Sequence, residues 1–188
     1  MNIVLRRPPM SVDEFLAWEN RQVDRWEFDG FEPQAMVGGT LAHNHIIVNL
    51  VTALRSRLPN RCRVYAEGVK LRLAHTVRYP DVMVACGPFL PTATDITDPS
   101  VVFEVLSPGT FGKDRIEKNR EYAATPSIRH YMLLEQDAIA AEVDSRDGDR
   151  WVRSTVTGDG LLVMPEIGVE MPLAEAYAGL ELGVPGPA

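Results

Sequence analysis

No apolar run in this 188-residue chain approaches the ~20 residues that a bilayer-spanning helix needs, which excludes a helical membrane protein. The opening stretch, MNIVLRRPPMSVDEF, also lacks the charged-then-apolar order of a secretory signal, because its arginines follow the short apolar stretch and prolines interrupt it. That pattern predicts a cytoplasmic protein. Cysteine is scarce: Cys62 and Cys86 are too few and too isolated for a zinc site, and in a reducing compartment they are expected as buried free thiols. Internal repeats, low-complexity tracts, a groove-reading helix and a base-stacking aromatic cluster are all missing. A net charge of −7 argues against a protein that coats nucleic acid without specificity.

What is there suits a globular protein. The composition, 45% hydrophobic and 24% charged, fits one domain over residues 1–188, with a core from about 11 to 175 and a frayed tail at 183–188. SVDEFLAWENR reads as a short helix with a Ser11/Glu14 capping box, and RWEFDGFEPQAM as a hairpin turning at Asp29-Gly30. The stretch HNHIIVNLVTALRSRLP spaces Ile46, Ile47, Leu50, Val51, Leu54 and Leu58 as one helix face. Strand-like runs follow at GVKLRL, YPDVMVA and VVFEVL, the first two expected to form an antiparallel hairpin about His75-Thr76. A helix in GKDRIEKNREYAA and strands in RHYMLL, AIAAEV and RWVRSTV complete an α/β or α+β domain on one mixed central sheet. Between Arg55 and Arg78 seven basic residues face a single acid, Glu67; this segment could meet a phosphate backbone or merely be a solvated surface.

Glu104 is out of place in VVFEVL, since a carboxylate inside an apolar strand must find a partner or bind a proton. Asp81, after Pro80 and before Val82, Met83 and Val84, poses the same problem on the preceding strand. Two carboxylates about 4 Å apart repel by roughly 4 kcal/mol at an effective dielectric near 20. A divalent cation relieves that conflict, and a donor set of carboxylates favours Mg2+ or Mn2+. Asp114, Lys118 and Tyr122 recur every fourth residue and share one helix face, so Lys118 is a candidate cation beside the metal. Ordinary alternatives exist for each: a carboxyl pair satisfied by amides or arginine, Asp114 as a helix N-cap, Lys118 as its i,i+4 partner, His45 as a residue at a helix start.

The combination of Pro80-Asp81, the run Glu104-Val105-Leu106-Ser107-Pro108-Gly109-Thr110 and the Asp114/Lys118/Tyr122 helix resembles the Uma-type endonuclease family of the PD-(D/E)XK superfamily. The resemblance runs from about residue 26 to about 137. It implies a restriction-endonuclease-like fold, a mixed central sheet flanked by helices, with Asp81 and Glu104 as metal ligands and the Val105 carbonyl as a third. Glu27 and His45 look like the family's additional polar positions. One departure matters: two residues past Glu104 the superfamily carries lysine, and this chain has Leu106. Lys118 would have to supply the missing charge, with Lys70 a second candidate.

The function expected is a Mg2+- or Mn2+-dependent endonuclease acting on nucleic acid, DNA foremost, and working as a homodimer. The alternative, which Leu106 favours, is an inactive nuclease-fold protein that binds nucleic acid or another protein.

Overall fold

Local signals set most of the elements. In the computed structural model, which describes residues 10–36, 38–106 and 113–182 without the side chains of 113–115, Ser11 caps helix α1 (Val12–Glu19). The Ser11 N–H donates to Glu14 Oε2 at 2.8 Å and the Glu14 N–H to Ser11 Oγ at 3.2 Å, the reciprocal pair expected from their spacing. Strands β1 (Trp26–Phe28) and β2 (Pro33–Ala35) form the hairpin. Asp29 accepts the Phe31 and Glu32 amides in its turn, and Gly30 takes a φ of 92° that disfavours any side chain. Thr40 caps α2 (Leu41–Arg57), whose Ile46, Ile47, Leu50 and Leu54 are buried.

Eleven further strands and a third helix follow in chain order among the described residues: β3 (Cys62–Ala66), β4 (Lys70–Arg72), β5 (Val77–Arg78), β6 (Val82–Cys86), β7 (Asp95–Ile96), β8 (Val101–Val105), α3 (Lys113–Ala123), β9 (His130–Leu134), β10 (Ala140–Asp147), β11 (Arg150–Thr157), β12 (Leu161–Met164) and β13 (Val169–Pro172). The central sheet runs β11-β10-β9-β8-β6-β3, antiparallel except for the parallel pair β8–β9, which α3 connects. A second sheet, β2-β1-β5-β4-β7, lies beside α1, and Phe15, Phe28 and Val77 pack together there.

Side-chain alternation along β8 divides the core. Val101, Phe103 and Val105 join the cluster built on α2, whereas Val102 and Leu106 join Tyr122 of α3 on the other face. Glu104 belongs to that second face, under α3.

Three expectations need correcting. The polar turn at His75-Thr76 closes a hairpin, with the Leu73 N–H donating to the Thr76 carbonyl, but β4 pairs with the two-residue β5 rather than with YPDVMVA, which enters the central sheet as β6. There are thus two large sheets where one was expected. The edge strand β3 was not foreseen, because in RCRVYAE only Cys62 is fully covered and the alternation is weak. That omission also hid the fate of the cysteines: β3 and β6 place Cys62 opposite Cys86, and the two form a disulfide rather than free thiols. No helix among the described residues is long and apolar enough to cross a membrane.

Candidate active site

Glu104 answers its own puzzle through α3. Its side chain is 12% exposed, Lys118 Nζ stands 3.1 Å from its Oε1, and the Tyr122 hydroxyl donates to the same oxygen at 3.3 Å. Burial pushes its carboxyl pKa up to about 8; Lys118 opposes the rise, while Asp81 and Glu27 reinforce it. Lys118 and Tyr122 reach Glu104 together because they are one helical turn apart. Tyr122 is fully buried, edge-on to Tyr131 at 4.8 Å, and its own pKa is raised by burial and by Glu104. Leu106, where the superfamily has lysine, is packed into that aromatic cluster. The ammonium therefore arrives from the helix above the strand.

Asp81 lies immediately before β6, and the register Val82↔Phe103 carries it toward the Glu104 end of β8. Its Oδ2 accepts the Val105 N–H at 2.6 Å and lies 3.2 Å from His43 Nε2. The hydrogen bond to Asp81 raises the His43 pKa, against burial and with help from Glu67 and Glu104. On the other side of Asp81, the Glu67 N–H donates to the Asp81 carbonyl at 3.1 Å. One donor atom from each of His43, Glu67 and Asp81 lies within 4.8 Å of the others.

Glu27 closes the cluster from β1. Its Oε1 accepts the Tyr79 N–H at 3.0 Å and lies 3.6 Å from Lys118 Nζ, and its Oε2 meets Arg78 Nη1 at 3.3 Å. Arg78, 2% exposed, forks onto Glu121 of α3 at 2.9 and 2.7 Å. Burial by itself would lower the Arg78 pKa, but Glu121 and Glu27 reverse that and raise it.

The structure thus brings together Glu27, Asp81, Glu104, Lys118 and Tyr122 of the predicted set. It does not bring in His45, whose Nε2 bonds the Ala178 carbonyl at 2.8 Å, nor Lys70, which is held by Glu19 Oε2 at 2.7 Å and Asn20 Oδ1 at 3.1 Å. Two positions on an α-helix differ by about 200°, so only one of His43 and His45 can face the sheet. His43 was the one in phase with Ile46, Ile47 and Leu50, a polar residue on an apolar stripe. The Asp114 side chain and the Ser107–Thr110 motif lie outside the described residues.

The basic segment is largely neutralised: Arg57 pairs with Glu175, Lys70 with Glu19, Arg72 with Asp13 and Arg78 with Glu121. Arg63 lies over the Phe89 ring at 4.6 Å. The α2 end that carries Arg55 and Arg57 is about 20 Å along the helix from His43, at 1.5 Å per residue. The segment as a whole is therefore not a phosphate-facing surface at the Asp81 cluster.

Two relatives from Synechocystis sp., "Uncharacterized protein slr1290" and "Uncharacterized protein sll1609", are 33% and 28% identical to this chain, over 92% and 85% of it and 94% of each relative. A crystal structure of a "putative nuclease belonging to DUF820" from Anabaena variabilis superposes with a TM-score of 0.75 at 17% identity, covering 90% of this chain and 98% of that one. At that identity the likeness establishes the shared fold, which is restriction-endonuclease-like. The match of residues 12–174 to a family model described as "Putative restriction endonuclease" makes this chain a member of the Uma2 family.

Proposed function

We propose that the protein is a Mg2+- or Mn2+-dependent endonuclease that hydrolyses phosphodiester bonds in DNA. The observation that carries this reading is Lys118 Nζ at 3.1 Å from Glu104 Oε1, on the strand next to Asp81. A nuclease site needs acids on neighbouring strands and a positive charge fixed beside them, and Lys118 supplies from α3 what Leu106 does not.

The donor chemistry fits a hard divalent cation. Glu27, Glu104 and Glu121 gather around Arg78 and Lys118, Asp81 lies beside His43, and Glu104 has its pKa raised by burial and by its acidic neighbours Asp81 and Glu27. Asp81 and Glu104 would hold the ion, with the Val105 carbonyl as a third ligand. Once bound, it supplies positive charge to the phosphoryl oxygens and to the attacking water. Lys118 offsets charge that grows on phosphoryl oxygen as the bond breaks. The Val105 amide fixes Asp81, and Arg78 keeps Glu27 and Glu121 in place.

Plasmid nicking with Mg2+ or Mn2+ tests the reading. Asp81→Ala, Glu104→Ala and Lys118→Ala are each expected to lower the rate at least about 100-fold, in line with losing a charge that acts on the transition state. Equal nicking by all four proteins would overturn it. The buried Leu106 favours a second reading, an inactive nuclease-fold module; DNA binding in EDTA, without cleavage or metal uptake, would support it. We place the working form in the cytoplasm as a homodimer, with the edge strand β11 able to pair two chains. Size-exclusion chromatography reads that state.

A further inference from the structure

We propose that His43, Glu67 and Asp81 form a cation site of their own, sharing Asp81 with the Glu104–Lys118 pair and preferring a first-row transition ion to Mg2+. The inference does not depend on phosphodiester cleavage.

Each donor is delivered by a different element. His43 stands in the first turn of α2, Glu67 just past β3 and Asp81 just before β6. Because β3 and β6 pair with Ala66 opposite Val82, residues 67 and 81 come face to face at the end of the ladder. Their donor atoms and that of His43 lie within 4.8 Å of one another. Ligands around an ion at about 2.0–2.2 Å stand roughly 3–4.4 Å apart, so small side-chain rotations close the set. Glu67 is the exposed member and has room to make them.

Two features distinguish the trio from a histidine merely paired with an aspartate. Such a pair has no use for Glu67, whose carboxylate is brought close to that of Asp81 although the two repel. Glu67 makes no side-chain hydrogen bond among the described residues. The His43 ring is also set in advance. It is 9% exposed, its Nε2 points at Asp81, and its buried Nδ1 has no partner among the described residues. A Cβ at residue 39 would stand 2.8 Å from that Nδ1, so Gly39 is what lets the ring sit there. An imidazole nitrogen beside two carboxylates is a donor set for Mn2+, Fe2+ or Zn2+. Mg2+ favours oxygen ligands alone.

Mn2+ is the probe, added to the untagged full chain and followed by calorimetry and by electron spin-echo modulation. The result expected is 14N modulation from a directly bound imidazole, Mn2+ binding at least tenfold tighter than Mg2+, and loss of both the modulation and the preference in His43→Gln. Glu67→Gln should weaken Mn2+ binding about tenfold. Bound Mn2+ without 14N modulation, or modulation that persists in His43→Gln, overturns the inference. If His43→Gln does not fold, Glu67→Gln decides, and unchanged Mn2+ affinity overturns it. Glu104→Gln separates this site from the nuclease reading: it should abolish cleavage and keep the modulation. A wild-type protein that shows the modulation but cuts nothing refutes only the nuclease reading.

Discussion

Glu104 holds a proton that the same side chain in the unfolded chain gives up near 4.5, because its folded pKa is raised to about 8. Between those values the folded protein binds more protons than the unfolded chain, so stability falls as pH rises through that window. His43 acts in the same direction: its raised pKa contributes stability that is complete below 6.5 and lost as pH climbs through the folded value. In EDTA, the melting temperature should be lower at pH 8.5 than at pH 5.5, and Glu104→Gln should flatten most of that slope. A profile as steep in the variant would show that Glu104 is not its source. Arg78 makes the complementary case. Arg78→Met strands Glu27 and Glu121 next to each other in a covered site and should cost about 3–5 kcal/mol, the usual penalty for breaking one side of a buried ion pair. Urea denaturation measures it.

At the level of elements, α3 matters most, since it delivers Lys118 and Tyr122 from outside the sheet. Its C-terminal end is held by Arg146 of β10, which donates from Nη2 to the Ala123 and Thr125 carbonyls and from Nε to that of Ile128. A guanidinium there both satisfies last-turn carbonyls and opposes the helix dipole. Arg146→Met should destabilise the protein by about 2 kcal/mol, read in urea, and raise amide exchange in α3 before other helices. Uniform exchange would mean that Arg146 does not anchor this helix. The helices and the acids Asp81 and Glu104 could be read from the sequence because capping, period and misplaced charge are local signals. The partners could not. His43 needed the helix phase, Glu67 needed the unforeseen strand β3, and Arg78 needed the second sheet, each a matter of pairing between segments far apart in the chain. The cysteines failed for the same reason: a separation of 24 residues says nothing about facing positions on β3 and β6.

For the molecule as a whole, charge is the deciding quantity. The net −7 and the internal pairing of most arginines and lysines between residues 55 and 78 leave little surface to displace counterions from DNA. Without divalent ions, duplex binding at about 150 mM salt should be weaker than about 100 μM, below typical non-specific affinity. Fluorescence anisotropy would show this, and tight binding in EDTA would instead point to a non-catalytic module. Mn2+ should recover binding by bridging the acids to phosphate.

An ammonium on the pleat of a strand would be as rigid as the sheet. Here it rides on a separate rod, fastened by guanidinium clasps at Arg78 and Arg146 above the carboxyl group that it meets. A slight tilt of that rod would withdraw the charge from the sheet beneath it, so that, on the nuclease reading, activity and structural integrity could be lost separately.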